Sequence, residues 1–471
     1  MLMLGAFDDA LTVLELLIAC SKRQEDQRAY ASALIHQAHV LVRLNEHDKA
    51  DRALTEALRV MPSEEALALF YAQVLHAELS SHRLQFETVW SACEHAYEGY
   101  QRLSQHNADP AVRIAACIPF VWIGRREAAQ SLSDEAFQLA QAQGRRDWSG
   151  MARFWHSIWH MMDAQYEAAE EAIEQAIQWA EASECHQHVR SFQRFLGGMM
   201  GLQGKFRQAM KSYGFDPDST ECSAPQHERA FGDAAYLMAH FGAREQAWSW
   251  LLKAQTEAEK GNSRKHLLRA YLNLFAVAVL YHRLEDAQYY QFKCSELLPS
   301  ETWMRMVPVE CDVLDPWVHR VPGCLTDLRI ECLYHNGSLL LKQGEARVAQ
   351  TCLREASRLR PFAQTQVFNR DPQLALVEAL LASKEPEEAQ AVLEAVARET
   401  HGKPCTYKGM AYYHGLRWQT ARALGEQKQA EEALQSARRS LLRLSHELGT
   451  PEARRRLCEN LPYHASLAHS D

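Results

Sequence analysis

Small side chains recur along this chain in pairs that are seven residues apart. Seven residues are about two turns of an α-helix, so both members of a pair lie on the same helix face. A face with two small residues lets a second helix approach closely, and larger apolar neighbours fill the space beside them. The pairs include Ala129 and Ala136, Ala169 and Ala176, Ala247 and Ala254, and Ala430 and Ala437. This recurrence predicts helix pairs stacked in a row.

Two segments carry nearly every position of one such helix pair. The first segment has Leu34, Ala38 and Leu41 on one helix, then the polar break LNEHDKA, then Ala50, Leu54, Ala57 and the terminating Pro62. The second segment has Leu333, Gly337, Leu340, Ala349, Leu353, Ala356 and Pro361. The pattern resembles the tetratricopeptide repeat (TPR) of about 34 residues. The resemblance implies an all-α fold, a right-handed superhelical solenoid of about nine or ten tandem TPR-like helix hairpins.

Other copies are weaker, and they suggest how the chain is divided. Ala209 begins a second helix that Gly214 and Pro217 should end early. Four prolines interrupt residues 299–329, where one continuous helix is therefore not expected. We expect an N-terminal TPR-like half over residues 1–298, an irregular joint over 299–329, and a C-terminal TPR-like half with a capping helix over 330–471.

Composition excludes several classes of partner and compartment. The net charge of −9 gives no basic surface for nucleic acid or for an anionic membrane. The twelve cysteines include no C-x-x-C pair, so reduced thiols are expected. The first twenty residues lack the basic region of a secretory signal, and no apolar stretch approaches the roughly 20 residues that span a bilayer. We expect a cytoplasmic protein.

The motifs that carry chemistry are weak. In GGMMGLQGKF, five residues separate Gly198 from Gly204 and Phe206 follows the lysine, so a phosphate-binding loop is not predicted. His156 and His160 share a helix face as metal ligands could, but no third ligand accompanies them. We predict no catalytic residue, no metal site and no cofactor, and an enzyme or metal-binding protein is the third alternative for function.

In tetratricopeptide folds, the first helix of each hairpin lines a concave surface that binds partners. Carried onto this chain, the resemblance implies a candidate groove with Trp122, Phe154, Ile158, Met162, Arg194, Arg229, Tyr236, His240, Arg269 and Tyr334. Apolar and methionine side chains would adapt to a partner helix, and the arginines would bind carboxylates. An alternative is that Phe154, Ile158 and Met162 are ordinary core between adjacent hairpins. The lysine and asparagine of the chaperone-binding carboxylate clamp are absent.

The segment from Glu452 to His464, which ends in ENLPYH, resembles a second group of proteins. It is similar to the closing helix of the helical-repeat arm of bacterial signal-transduction ATPases and transcriptional regulators. In that group the arm receives a ligand or partner and controls attached modules. This chain shows no such module, so the resemblance implies action on a separate chain.

These patterns favour a non-catalytic protein-interaction scaffold in bacterial signalling or complex assembly. The scaffold would bind a protein or peptide partner, but no nucleic acid and no membrane. The second alternative is a sensory module that binds a short peptide or small ligand, because repeat stacks with only nearest-neighbour contacts deform easily. The sequence leaves the oligomeric state open.

Overall fold

The computed structural model describes residues 7–62, 64–103, 109–163, 165–215, 228–261, 263–298, 323–360, 371–399 and 407–469. Over these residues the secondary structure is helical, and they contain no strand. Twenty-three helices span them. The helices are α1 (Phe7–Arg23), α2 (Gln27–Arg43), α3 (His47–Val60), α4 (Ala66–His82), α5 (Phe86–Leu103), α6 (Pro110–Trp122), α7 (Arg126–Ala142), α8 (Arg146–Met162), α9 (Tyr166–Ala182), α10 (His186–Leu202), α11 (Phe206–Ser212), α12 (Glu228–His240), α13 (Arg244–Lys260), α14 (Arg264–Leu280), α15 (Leu284–Leu297), α16 (Gly323–Lys342), α17 (Ala346–Leu359), α18 (Pro372–Ala382), α19 (Pro386–Glu399), α20 (Tyr407–Ala423), α21 (Gln427–His446), α22 (Pro451–Glu459) and α23 (Pro462–His469).

The described helices form ten hairpins, from α2–α3 to α20–α21, and the two helices of each hairpin are joined by only three residues. The turn after α6 shows how such a short connection is possible. Gly124 has a φ of +79°, which is favourable for glycine, and the N–H of Arg125 donates to the carbonyl of Phe120 at 2.8 Å. The turn after α2 uses Asn45, with a φ of +61°, in the same role. The polar and glycine breaks in the sequence therefore become tight hairpin turns.

Contacts between residues divide the chain into two compact units, which we call unit 1 and unit 2. Among the described residues, unit 1 contains residues 7–193, the short stretch 259–266, and residues 323–325. Unit 2 contains Arg194–Ala258 and the remaining described residues from Leu267 onward.

In unit 1, small residues on the second helices lie at the helix crossings. Ala50 and Ala57 of α3, and Ala129 and Ala136 of α7, are completely buried. Larger side chains surround them, among them Leu54, which is only 1% exposed. Each hairpin therefore packs against the next through a face with both small and large residues, as ridge-and-groove packing requires.

In unit 2, the hairpin of α16 and α17 has a glycine at its helix crossing, as the repeat pattern predicts. A Cβ atom on Gly337 would lie 2.6 Å from Cγ of Leu353, so only glycine fits there. Leu353 belongs to a core that continues through α18, α19 and α20, where Leu380 and Leu416 are completely buried. Val396 occupies the small-residue position of α19 and is also fully buried.

The last two helices of unit 2, α22 and α23, fold back onto earlier hairpins. The side-chain amide of Asn460 donates to the carbonyl of Gly242 at 2.7 Å, in the turn between α12 and α13. Gly242 has a φ of +81°, and a Cβ atom there would overlap the carbonyl of Arg456. Leu457 and Leu467 are completely buried. We call α22 and α23 together, Pro451–His469, the C-terminal segment.

The all-α prediction with nine or ten hairpins is confirmed, since the described residues form ten. The early end of α11 at Ser212, before Gly214, also agrees with the sequence. The joint predicted over residues 299–329 stays a prediction, because 299–322 lie outside the described residues and the rest begins α16. Within the part of the chain that is described, no helix is both long enough and apolar enough to cross a membrane.

Candidate functional site

The four predicted groove residues of unit 1 are partly buried side chains on α6 and α8. Ile158, Met162 and Trp122 pack against the core formed by α4 to α8. The ring of Phe154 stacks on that of Phe192, with centroids 4.8 Å apart. These side chains therefore contact the core while part of each remains exposed.

Two of the three predicted arginines already have carboxylate partners in unit 2. Nε of Arg194 lies 2.7 Å from Oδ2 of Asp233, and Nη1 of Arg269 lies 2.5 Å from Oε2 of Glu331. The side chain of Glu331 is only 6% exposed, and a buried carboxylate needs such a compensating charge. A carboxylate of a partner would have to compete with these ion pairs. The side chain of the third arginine, Arg229, lies outside the described residues.

The other three predicted residues, Tyr236, His240 and Tyr334, line one cavity of about 120 Å³ in unit 2. Tyr236 and His240 lie one turn apart on α12, with their rings edge to face and their centroids 4.6 Å apart. Tyr334 faces the cavity from α16. The structure therefore brings these three side chains together, although Tyr236 and Tyr334 are 98 residues apart in sequence.

The first helices of five successive hairpins supply most of the cavity wall. We call this surface of α12, α14, α16, α18 and α20 the unit 2 groove. It consists of Tyr236, His240, Ala276, Val279, Leu280, His282, Tyr334, His335, Ser338, Leu341, Lys342, Glu378 and Tyr412. Aromatic rings and hydrogen-bonding groups alternate with aliphatic side chains, which is the composition of a site that binds organic groups.

A short chain of polar contacts fixes the charged part of the groove. Nζ of Lys342 donates to Oε1 of Glu378 at 3.1 Å, and the hydroxyl of Tyr412 donates to Oε2 at 2.6 Å. Burial, together with the nearby Glu378 carboxylate, raises the pKa of Tyr412 well above its usual value. Its hydroxyl therefore stays protonated and holds the carboxylate in place near neutral pH.

The C-terminal segment completes the cavity with Leu461, Tyr463 and His464. The hydroxyl of Tyr463 donates to two backbone carbonyls of α20, those of Ala411 at 3.2 Å and Tyr412 at 3.0 Å. Burial raises the pKa of Tyr463 well above its usual value, so the hydroxyl remains a donor. The sequence motif ENLPYH indicated only a resemblance to another group of proteins. Nothing in the repeat pattern predicted that it lies in the groove.

Gly415 provides the signal in the sequence that could have located this contact. A Cβ atom at position 415 would overlap the hydroxyl of Tyr463, so the tyrosine lies against α20 only because residue 415 is glycine. A buried glycine inside a helix indicates close approach by another group. Its neighbours in sequence do not show which group that is.

The histidines considered as metal ligands have other contacts in unit 1. Nε2 of His156 lies 2.9 Å from Oδ1 of Asp134, and Nδ1 of His160 lies 2.8 Å from Oε1 of Gln165. Among the described residues, no group of three or more His, Cys, Asp or Glu side chains could hold a metal ion.

Comparisons with known proteins find similar solved structures at low sequence identity. No protein-family model matches the chain, and no curated protein matches it. Among solved structures it is similar to a tetratricopeptide repeat protein from Parabacteroides merdae ATCC 43184, with 15% identity and a TM-score of 0.34 over 66% of this chain and 98% of that chain.

Two further similar structures are Rap proteins. A Rap protein complexed with competence and sporulation factor has 10% identity and a TM-score of 0.46, over 88% of this chain and 99% of that chain. The apo form of RapI has 11% identity and a TM-score of 0.33, over 88% of this chain and 98% of that chain. All three TM-scores lie below 0.5, so the fold assignment rests on the ten hairpins themselves. In its fold, the chain is a tetratricopeptide-type helical repeat.

Proposed function

We propose that this chain is a non-catalytic protein-interaction scaffold that binds a peptide or a partner helix in the unit 2 groove. The observation that supports the proposal is the convergence of Tyr236, His240 and Tyr334 on one cavity, from two hairpins far apart in sequence. The predicted contacts of unit 1, at Trp122, Phe154, Ile158 and Met162, are part of the same proposal as additional partner-binding residues.

The chemistry of the groove suits a peptide better than a reaction. Its aromatic walls can bury an apolar side chain, while tyrosine, histidine, serine and lysine groups offer hydrogen bonds to a backbone or a polar side chain. The one carboxylate in the groove, Glu378, is already bonded to Lys342 and Tyr412. The groove thus combines an apolar anchor site with a fixed polar edge, as binding hot spots do.

The cellular role is the finer part of the proposal. The resemblance of residues 452–464 to the closing helix of bacterial regulatory arms supports a role in bacterial signalling or complex assembly, in the cytoplasm. The chain would act there on a separate protein, with no nucleic acid or membrane as partner.

A cavity-filling substitution tests the proposed site. Ser338 lies partly exposed on α16, and its hydroxyl donates to the carbonyl of Tyr334 four residues earlier. Ser338→Leu should fill the cavity and weaken binding at least tenfold. The measurement is the affinity of peptides that are selected on the full chain from a phage-displayed random library.

Ser357→Leu is the matched control. Ser357 is also partly exposed, makes the same hydrogen bond to the carbonyl of Leu353, and lies on the second helix α17 outside the groove. We expect Ser357→Leu to bind the selected peptides as the unaltered chain does. Equal affinities of the two variants, or a library that yields no binding peptide, would show that the groove is not the interaction site.

The size of the cavity supports a second candidate function, a sensor of a small ligand. A space of about 120 Å³ is the size that can take one small organic group. A ligand that binds only the folded state raises the thermal stability of the protein. A thermal-shift screen of metabolites against the chain and the Ser338→Leu variant separates the functions, since a sensor should give a large shift that this variant loses.

A further inference from the structure

The unit 2 groove already contains a segment of its own chain. We propose that the C-terminal segment is an intramolecular ligand of this groove, and that the external partner is a short peptide whose tyrosine replaces Tyr463. This inference rests on the proposed function, which it deepens by naming the chemistry of the partner.

The contacts of Tyr463 resemble recognition of a ligand more than packing of a core. Among the described residues, the partners of its hydroxyl are backbone carbonyls, which any variant of α20 with the same fold would present. Its ring lies edge to face against Tyr412, with centroids 4.9 Å apart. The slot at Gly415 accepts the phenol because residue 415 has no side chain. A tyrosine from another chain could make the same contacts.

The C-terminal segment also fills the groove incompletely. The cavity of about 120 Å³ remains beside Leu461, Tyr463 and His464. Protein interiors are normally packed without spaces larger than a few water molecules, and each additional buried methylene group is favourable. A partner that supplies the tyrosine and also fills this space would bury more apolar surface than the segment does.

The segment is built in a way that allows it to leave. Its two helices contain only nine and eight residues, and isolated helices of that length are unstable in water. Only Leu457, Leu461 and Leu467 provide its buried leucine anchors. Most of the remaining surface of α22 is exposed and charged, including Arg454 and Arg455. Such short helices keep their structure only through contacts with the hairpins, so loss of the Tyr463 contacts should loosen the segment.

A permanent cap is the competing interpretation. Helical repeats need a terminal element with a polar outer face, and α22 has one. A permanent cap would keep its place in the presence of any peptide, whereas an intramolecular ligand should exchange with a copy of itself.

The experiment uses the full chain and a fluorescent synthetic peptide of residues 450–469. In the unaltered protein, the tethered segment acts at an effective concentration of about millimolar, so the free peptide should bind poorly. Tyr463→Ala in the full chain should loosen the segment and increase the affinity for the peptide at least tenfold. Asn460→Ala, which removes the bond to Gly242, should also increase the affinity for the peptide. This variant replaces Tyr463→Ala in the experiment if Tyr463→Ala does not fold.

A glycine pair tests whether the peptide enters the predicted slot. In the Tyr463→Ala chain, a second substitution Gly415→Ala should abolish peptide binding, because the new methyl group occupies the position of the phenol hydroxyl. The matched control is Gly99→Ala, where a Cβ atom would lie at an ordinary 3.7 Å from Phe70. This control should leave binding unchanged. A peptide in which tyrosine is replaced by alanine should bind at least tenfold more weakly.

The outcomes separate this inference from the proposed function. The intramolecular-ligand inference is wrong if the 450–469 peptide binds the Tyr463→Ala and unaltered chains equally, or binds neither. It is also wrong if Gly415→Ala leaves peptide binding unchanged. The inference is also wrong if the library-selected peptides bind without a tyrosine, or bind the unaltered and the Tyr463→Ala chains equally. The proposed function would still be supported in that case if these peptides bind Ser338→Leu more weakly than Ser357→Leu. If the 450–469 peptide binds the Tyr463→Ala chain but the library yields no binding peptide, the intramolecular contact is supported and the proposed function is contradicted.

Discussion

At the scale of single residues, glycines decide how closely helices and side chains approach. Gly337 lies where Leu353 of the next helix leaves no room for a methyl group, and Gly415 lies under the hydroxyl of Tyr463. Gly337 could be predicted, because it occupies a small-residue position of a complete repeat. The role of Gly415 could not, because its contact is 48 residues away in sequence.

Two glycine-to-alanine substitutions should change stability in opposite directions. Gly337→Ala would force a methyl group to 2.6 Å from Leu353 Cγ and should cost about 1–3 kcal/mol. Gly99→Ala on α5 meets only ordinary contacts and should stabilise the protein by about 0.5–1 kcal/mol, because alanine favours the helix. Urea unfolding followed by circular dichroism measures both. A Gly337→Ala variant as stable as the unaltered chain would contradict the close crossing at Gly337.

At the scale of elements, some first helices begin with a side-chain cap bond, whereas the first helices α4 and α8 begin without one. The first helices α2, α6 and α18 follow a link between hairpins, and the aspartates Asp26, Asp109 and Asp371 accept hydrogen bonds from their first-turn N–H groups. The second helices α3, α7 and α17 follow the three-residue turn and begin without a side-chain cap bond. The backbone of the turn itself positions these second helices.

Removal of a cap residue should therefore matter where its side chain makes a cap bond. Asp371→Ala removes acceptors for the N–H groups of Gln373 and Leu374, at 3.0 and 3.4 Å, and should cost about 1 kcal/mol. Glu345→Ala, at the corresponding position of α17, should cost less than about 0.5 kcal/mol. Denaturant midpoints give the comparison, and equal losses would show that the Asp371 bonds contribute nothing special.

At the scale of the whole molecule, each hairpin shares its core mainly with its neighbours in sequence. In unit 1, one cluster of buried residues joins α2, α3 and α4. Another extends from α4 to α8. Repeat proteins built in this way have stabilities that are sums of local and nearest-neighbour contributions. A defect in one hairpin should therefore stay local.

A pair of core truncations tests this locality within unit 1. Leu54→Ala on α3 should cost about 2–5 kcal/mol and accelerate amide hydrogen exchange in α2, α3 and α4, with little change in α9. Ile173→Ala on α9, an equally buried position, should produce the reverse pattern. Hydrogen-exchange mass spectrometry resolves these helices. Uniform acceleration in both variants would mean that unit 1 unfolds as one cooperative globule.

The sequence by itself determined the helices, their pairing and the small residues at their crossings. These depend on contacts within about 40 residues, where turn chemistry and the 3.6-residue period leave few alternatives. The repeat register also assigned Tyr236, His240 and Tyr334 to first helices, where they lie on α12 and α16; that they face a partner stays a prediction.

Only the tertiary structure decided which of these faces form a cavity and what covers it. The ion pairs of Arg194 and Arg269, and the entry of Tyr463 into the slot at Gly415, join side chains from different hairpins. No periodic pattern specifies such contacts, because they depend on how successive hairpins are displaced and on where a non-repeating segment folds back. The local period thus fixes the hairpins, and long-range packing fixes the site.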